Sequence, residues 1–153
     1  MSVGADPQQV ADAVVHAMLL SDKASAQHGI TLVSAAPGEV TVAMTVTGDH
    51  VNGHNVCHGG VLFLLADTAF GLCCNSHGPQ AVASGGDIVY ARPAYIGDRL
   101  RAQCVERGRF GRSGVYDTTV TRGADVIAEF RGRSRVIADG QPGSDGVRIA
   151  GAP

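Results

Sequence analysis

From His50 to Gly60 the chain carries His50-Val-Asn-Gly-His-Asn-Val-Cys-His-Gly-Gly60, and it continues without a break into an apolar segment, Val61 to Cys74, whose only charge is Asp67. A carboxylate on an otherwise apolar helix costs several kcal/mol unless it is neutralised, paired or open to a polar cavity. Asp67 therefore has either a partner, such as a buried arginine or a loop that it caps, or a task. Gly59 and Gly60 supply the complementary half of one such task. Backbone N–H groups at the start of a helix form a site for an oxyanion or a polarised carbonyl. If the two features serve one reaction, it is attack on a carbonyl whose oxygen rests on the glycine N–H groups, with the carboxylate as the attacking or activating group.

The spacing adds a constraint. At a rise of about 1.5 Å per residue, Asp67 lies roughly 10 Å along the helix from Gly60. It cannot act on a carbonyl held at its own glycine turn. If both serve one reaction, Asp67 must face the glycines of a second subunit, which requires a symmetric dimer with two shared sites. Neighbouring polar residues have two readings each. Asn52 sits in Val-Asn-Gly, a turn sequence, and serves either the turn or the site. His58 either makes a structural hydrogen bond beside the helix N-cap or positions a reacting group. Thr68 points about 100° around the helix from Asp67 and suits packing or a bond back within the helix. His50, His54 and His58 are four apart, but that spacing converges on a metal only in a helix, and Asn52-Gly53 predicts a turn, so no metal site is expected.

The elements that would hold these groups are legible from composition and period. The 153 residues, 44% hydrophobic and 17% charged, fit a single globular domain. The longest apolar run is too short to span a membrane. Met1 to Asp6 lacks a basic, apolar secretory leader, and Cys57, Cys73, Cys74 and Cys104 lack a disulfide framework, so a cytoplasmic protein is expected. Charge is lopsided: through Ala91 there is one lysine against seven acids, and beyond it eleven arginines against seven acids. Without tryptophan or a lysine-rich run, that positive half suits an anionic small molecule better than nucleic acid.

Val10, Val14, Ala17 and Met18 predict an amphipathic helix over Pro7–Leu20. Val40, Val42, Met44 and Val46 alternate with smaller or polar residues, predicting a half-buried strand over Glu39–Thr47, paired with Gly29–Ala35 through Pro37-Gly38. After the apolar helix, strands are expected at Ala81–Tyr90, Asp98–Arg107, Gly114–Thr121 and Asp125–Ile137. With no βαβ alternation or repeat, the economical solution is α+β, an antiparallel sheet wrapped around one long helix. Residues 1–138 are read as one domain, and 139–153, rich in glycine and proline, as a flexible tail.

Asn52-Gly53-His54, Cys57-His-Gly-Gly60, Leu65-Ala-Asp-Thr-Ala69, Asn75-Ser76, Arg92-Pro93, Gly114-Val-Tyr-Asp117 and Phe130-Arg-Gly132 resemble the hotdog-fold acyl-CoA thioesterases of the phenylacetate-degradation (PaaI-like) branch. The resemblance extends from about Gln27 to Ile137. It implies hydrolysis of phenylacetyl-CoA or a hydroxylated phenylacetyl-CoA, with the thioester oxygen on the Gly59 N–H and Gly60 assisting. Asp67 of the facing subunit would be the base on water, or would attack directly to give a mixed anhydride. Asn52 and His58 match positions that orient the water or shape the thioester pocket, and Ser84 matches a position near the reacting centre. The resemblance further implies no metal, no cofactor beyond the coenzyme A of the substrate, and dimers paired into a homotetramer. Medium-chain acyl-CoA is a competing substrate, and a non-catalytic acyl-CoA sensor is the non-enzymatic reading.

Coenzyme A carries phosphates, which arginine forks suit. Arg131, Arg133 and Arg135 alternate along the last strand, on one face with Ile127 and Glu129, and are either a solvated face or a phosphate-binding one. The loop Arg107-Gly-Arg-Phe-Gly-Arg112 is the other candidate. Arg112 and Arg131 are the expected contacts.

Overall fold

The computed structural model describes residues 4–138; the expected tail at 139–153 lies outside them. The order is α1 (Pro7–Ser21), α2 (Lys23–Gln27), β1 (Thr31–Ala36), β2 (Glu39–Thr45), a short 3-10 turn (Gly48–His50), α3 (Gly59–Asn75), β3 (Gln80–Tyr90), β4 (Arg99–Phe110), β5 (Ser113–Arg122) and β6 (Asp125–Ala138). The strands form one antiparallel sheet in the order β1-β2-β4-β5-β6-β3. The sheet curls around α3, the hotdog arrangement. No described helix is long and apolar enough to cross a membrane.

Local chemistry accounts for the element ends. Asp6 caps α1, accepting from the Gln8 N–H at 3.2 Å, and Pro7 occupies the first turn, where its missing N–H is harmless. Gly38 turns the β1–β2 hairpin at φ +74°, a conformation that glycine adopts without strain. At the other end of α3, Asn75 donates to Gly71 O and Ala81 O, both at 2.9 Å, and accepts from the Ala81 N–H, which ties the helix to the start of β3. The five-residue helix α2 was not legible as a helix. Its N-cap, Asp22, accepts from the Ser25 N–H at 2.9 Å.

Two strands depart from simple alternation. In β2 the expected inward row Val40, Val42, Met44 is buried, but so are Thr41 and Ala43, short side chains flanked in register by Gln103 and Arg101 of β4. In β6 the pairing slips by one residue at Val120/Thr121 of β5, so that Ile127 and Ala128 are consecutively buried while Glu129, Arg131, Arg133 and Arg135 stay exposed. Ile127 is thus not on the arginine face, because a bulge reverses the side-chain alternation at that point.

The core forms where α3 lies on the inner face of the sheet. Leu62, Leu65, Ala66, Ala69, Phe70 and Cys73 recur at helical spacing and are buried against β2, β4, β5 and β6. Phe70 packs 5.6 Å from the Tyr116 ring and 5.7 Å from Phe130, directly over Gly132. A Cβ on Gly132 would sit 2.7 Å from the Phe70 ring carbons, closer than packed carbons approach. Gly132→Ala should therefore destabilise the fold by about 1–3 kcal/mol through overpacking, measured by urea denaturation. A second change, Phe70→Leu, should recover part of the loss.

Candidate active site

The loop before α3 is built by its own asparagine. Asn52 Oδ1 accepts from the His54 N–H at 2.9 Å, Asn52 O accepts from the Asn55 N–H at 3.0 Å, and Val56 O accepts from the Asn52 N–H at 2.9 Å. Asn55 takes φ +59°, which asparagine tolerates. The turn reading of Asn52 is thus realised; its amide NH2 has no partner among the described residues. The Cys57 N–H donates to Ala94 O and the His58 N–H to His50 O, both at 2.8 Å, fixing where the helix begins.

His58 is itself the N-cap. Its Nδ1 accepts from the Gly60 N–H at 2.9 Å, and its carbonyl accepts from the Val61 N–H at 2.9 Å. Gly60, expected to assist a carbonyl, gives its N–H to the histidine ring instead. Among the described residues nothing accepts from the Gly59 N–H. The helix start therefore presents one open donor at its positive end, on Gly59.

Tyr90 completes this corner and was not foreseen. Its hydroxyl donates to Gly59 O at 2.9 Å, so the Gly59–Gly60 peptide is held at its carbonyl by Tyr90 and at its N–H by His58. The Tyr90 ring and hydroxyl stand 3.0 Å from where a Gly59 Cβ would lie, which explains glycine there. Beside them is a mostly apolar cavity of about 330 Å³, lined by Val56, Cys57, Gly59, Leu62, Tyr90 and Pro93 among others. Burial pushes the Cys57 thiol up to about 11, so it lines the cavity as a neutral thiol.

Asp67 lies eight residues into the same unbroken helix. It neither caps a loop nor pairs with an arginine among the described residues. Burial, and after it the negative charge of Asp22, hold its carboxyl above the ordinary carboxylate range. Leu64, Asp67 and Gly71 form a stripe that this chain leaves only partly covered. Thr68, on the neighbouring face, is buried and donates back to Leu64 O at 2.8 Å.

The remaining expected residues are scattered within the protomer. Ser84 is the extra residue of a bulge in β3, donating to Arg133 O at 3.1 Å on an exposed edge. Arg112 lies in the β4–β5 turn beside a cavity of about 200 Å³ that includes Cys74, His77 and Ser134, near the C-terminal end of α3; its guanidinium donates to Val136 O at 3.4 Å. Arg131 is locked to Asp117 by two bonds of 2.7 and 2.8 Å, with Arg107 on the same carboxylate. The three histidines do different work: His50 accepts from the Thr47 N–H and stacks on His28, His54 is exposed, and His58 caps α3.

A family model described as Thioesterase superfamily matches residues 54–129. Over 123 residues the chain is 45% identical to acyl-coenzyme A thioesterase PaaI of Escherichia coli (strain K12), covering 80% of this chain and 88% of that protein. The chain belongs to the thioesterase superfamily. Its fold is similar to the structure of the E. coli PaaI protein from the phenylacetic acid degradation operon, with a TM-score of 0.85 and 41% identity over 87% of this chain and 97% of that one. It is also similar to smu.793 from Streptococcus mutans UA159 bound to acetyl CoA, with a TM-score of 0.69 and 28% identity over 71% and 89% of the respective chains. This thioesterase is thus a PaaI-like thioester hydrolase on a hotdog fold.

A carboxylate held above its ordinary range destabilises the fold wherever it is ionised. Stability falls as pH rises from the unfolded value, 3.8, through the folded one, and the penalty is fully present above both. Asp67→Asn removes it. The variant should melt at or above the parent temperature at neutral pH, with the difference fading in acid, as read by thermal denaturation across pH.

Proposed function

We propose that this thioesterase hydrolyses aryl-acyl-CoA, phenylacetyl-CoA or a hydroxylated phenylacetyl-CoA, to the free acid and coenzyme A at sites shared between two subunits. The observation that carries the proposal is the division of α3: an open Gly59 N–H at its start and an unpaired carboxylate eight residues along it. At about 1.5 Å per residue these stand roughly 12 Å apart on a rigid rod, too far to act on one carbonyl. Two antiparallel copies of α3 would bring each Asp67 to the other's Gly59.

In this reading the thioester carbonyl oxygen accepts from Gly59 N–H, with the Asn52 amide as a second donor. Asp67 of the facing subunit takes a proton from water as its oxygen bonds to the carbonyl carbon. The tetrahedral oxyanion is stabilised by the N–H at the positive helix end. Collapse breaks the C–S bond, and the coenzyme A thiolate takes up a proton. A carboxylate made more basic by burial suits this role while it remains ionised. The steps draw only on protein groups and water, with coenzyme A entering and leaving as part of the substrate. His58 acts indirectly, holding the peptide that follows the donor, and Ser84 faces the neighbouring subunit from the edge strand.

Dimerisation is supported by the partly covered stripe on α3 and by β3, an edge strand whose exposed residues include Val89 at 66% and Tyr90 at 51%. A further pairing of dimers into a tetramer rests on the family resemblance. Arg112, beside the cavity at the β4–β5 turn, and Arg131, which would exchange Asp117 for the phosphate, are the candidates for a coenzyme contact. The aryl-acyl assignment rests on the similarity to E. coli PaaI and on the apolar cavity beside Gly59. Four free thiols suit a cytoplasmic setting.

Asp67→Asn should lower hydrolysis roughly 10²–10⁴-fold in a free-thiol assay while coenzyme A binding, measured by calorimetry, is retained. Across a panel of aryl and straight-chain acyl-CoAs the parent should turn over the phenylacetyl esters fastest. Unchanged turnover in the variant overturns the base, a medium-chain preference overturns the substrate, and binding without turnover of any ester makes the protein a sensor.

A further inference from the structure

A buried polar chain runs from α3, one residue beyond Asp67, to a second carboxylate. Thr68 Oγ1 lies 3.0 Å from Ser25 Oγ, and Ser25 Oγ donates to Asp22 Oδ2 at 2.6 Å. Ser25 is 1% exposed and Thr68 8%. Asp22 Oδ1 meanwhile accepts the Ser25 N–H as the cap of α2. Capping needs only that one oxygen. The other oxygen terminates a chain of hydroxyls reaching across to the helix that carries Asp67. Ser25 gives its proton to Asp22 and Thr68 donates to Leu64 O, while the two hydroxyl oxygens stand within hydrogen-bond distance of each other, so the chain ends on the Asp22 carboxylate.

We propose that Asp22 is a positioning residue for the base: through Ser25 and Thr68 it fixes a second negative charge against α3 beside Asp67 and sets the pH range in which that carboxylate accepts a proton. This rests on the catalytic reading of Asp67 given above. The like charge works in the same direction as burial, and both disfavour the ionised form of Asp67.

Other ionisable groups on the elements packed around α3 do not offset it. Asp12 and His16 of α1 and Lys23 of α2 are exposed. Cys74 of α3, which senses the charge of Asp67, is a thiol pushed up to about 12 by burial, and Cys73 and Cys104 are buried thiols. His77, Glu106 and Tyr116 gather at the far end of the helix. Apart from Glu106, the charged residues of β2, β4, β5 and β6, such as Glu39, Arg101, Asp117 and Arg131, alternate with the inward-facing row and stand on the outer face. On β3, Asp87 is exposed and paired with Arg133.

Asp22→Asn removes the charge and keeps one oxygen for the α2 cap; its NH2 replaces the oxygen that the Ser25 hydroxyl now donates to, so that hydroxyl would accept there and donate to Thr68. Asp22→Ser, also a good cap, serves if the asparagine variant misfolds. Two readouts apply. One is the acid limb of the pH dependence of kcat/KM; the other, independent of activity, is the carboxyl ¹³C titration of Asp67, assigned with Asp67→Asn. Both midpoints should move to lower pH in the folded variant, which then keeps a larger fraction of its plateau rate in acid. A folded variant with the Asp67 titration unmoved overturns the proposal, because a purely structural cap would leave it so. A shifted titration beside an unmoved acid limb upholds the Asp22–Asp67 coupling and overturns Asp67 as the base.

Discussion

The rigidity of α3 is the constraint on which the rest of the molecule depends. One unbroken helix carries a backbone donor at its first residue and a carboxylate two turns later, and its fixed rise keeps them apart. Most of the surrounding structure holds this rod in place. Gly132 lets Phe70 settle onto β6, Asn75 fastens the helix to β3, and His58 and Tyr90 clamp the Gly59–Gly60 peptide from both ends. The capping pattern also singles out a donor. Because His58 takes the Gly60 and Val61 N–H groups, the Gly59 N–H is left without an acceptor among the described residues, and in the proposed reaction it is the one that receives the thioester oxygen.

Asp67 has no compensating cation among the described residues. The chain has eleven arginines, and the ion pairs they make with Asp117 and Asp98 lie toward the outer side of the sheet. None reaches Asp67 among the described residues. Instead the α1–α2 corner brings another carboxylate toward it. Such an arrangement lowers the stability of the fold and raises the basicity of the group, the combination expected where a side chain is kept for chemistry rather than for packing.

What the sequence disclosed follows from the range of the interactions involved. The β1–β2 turn at Pro37-Gly38, the period of α3 and the lone charge within it are local patterns, and each appears where the residues place it. The motifs around Asn52, Gly59 and Asp67 likewise carried the family. Contacts between distant segments were not legible. Tyr90 meets Gly59 across 31 residues, Ser25 meets Thr68 across 43, and Arg131 finds Asp117 across the β5–β6 register. The reversal at Ile127 depends on a single extra residue in β6, which leaves no compositional trace. For His58, sequence offered two roles; the hydrogen-bond geometry shows how the residue caps the helix and, in the proposed reaction, supports the site through that cap.

Subunit complementation tests the shared site most directly. Asp67→Asn removes the carboxylate. Gly59→Pro removes the N–H at the first helical position, where proline is well tolerated and the extended His58 backbone, φ −59° and ψ 133°, accepts a following proline; the half-exposed Tyr90 ring can swing aside. Each variant alone should be inactive. In a verified hetero-oligomer one site combines the intact Gly59 of the first chain with the intact Asp67 of the second, and roughly half of the parent rate per mixed dimer should return. Mixed dimers that form but stay as inactive as either variant alone would contradict a site divided between subunits.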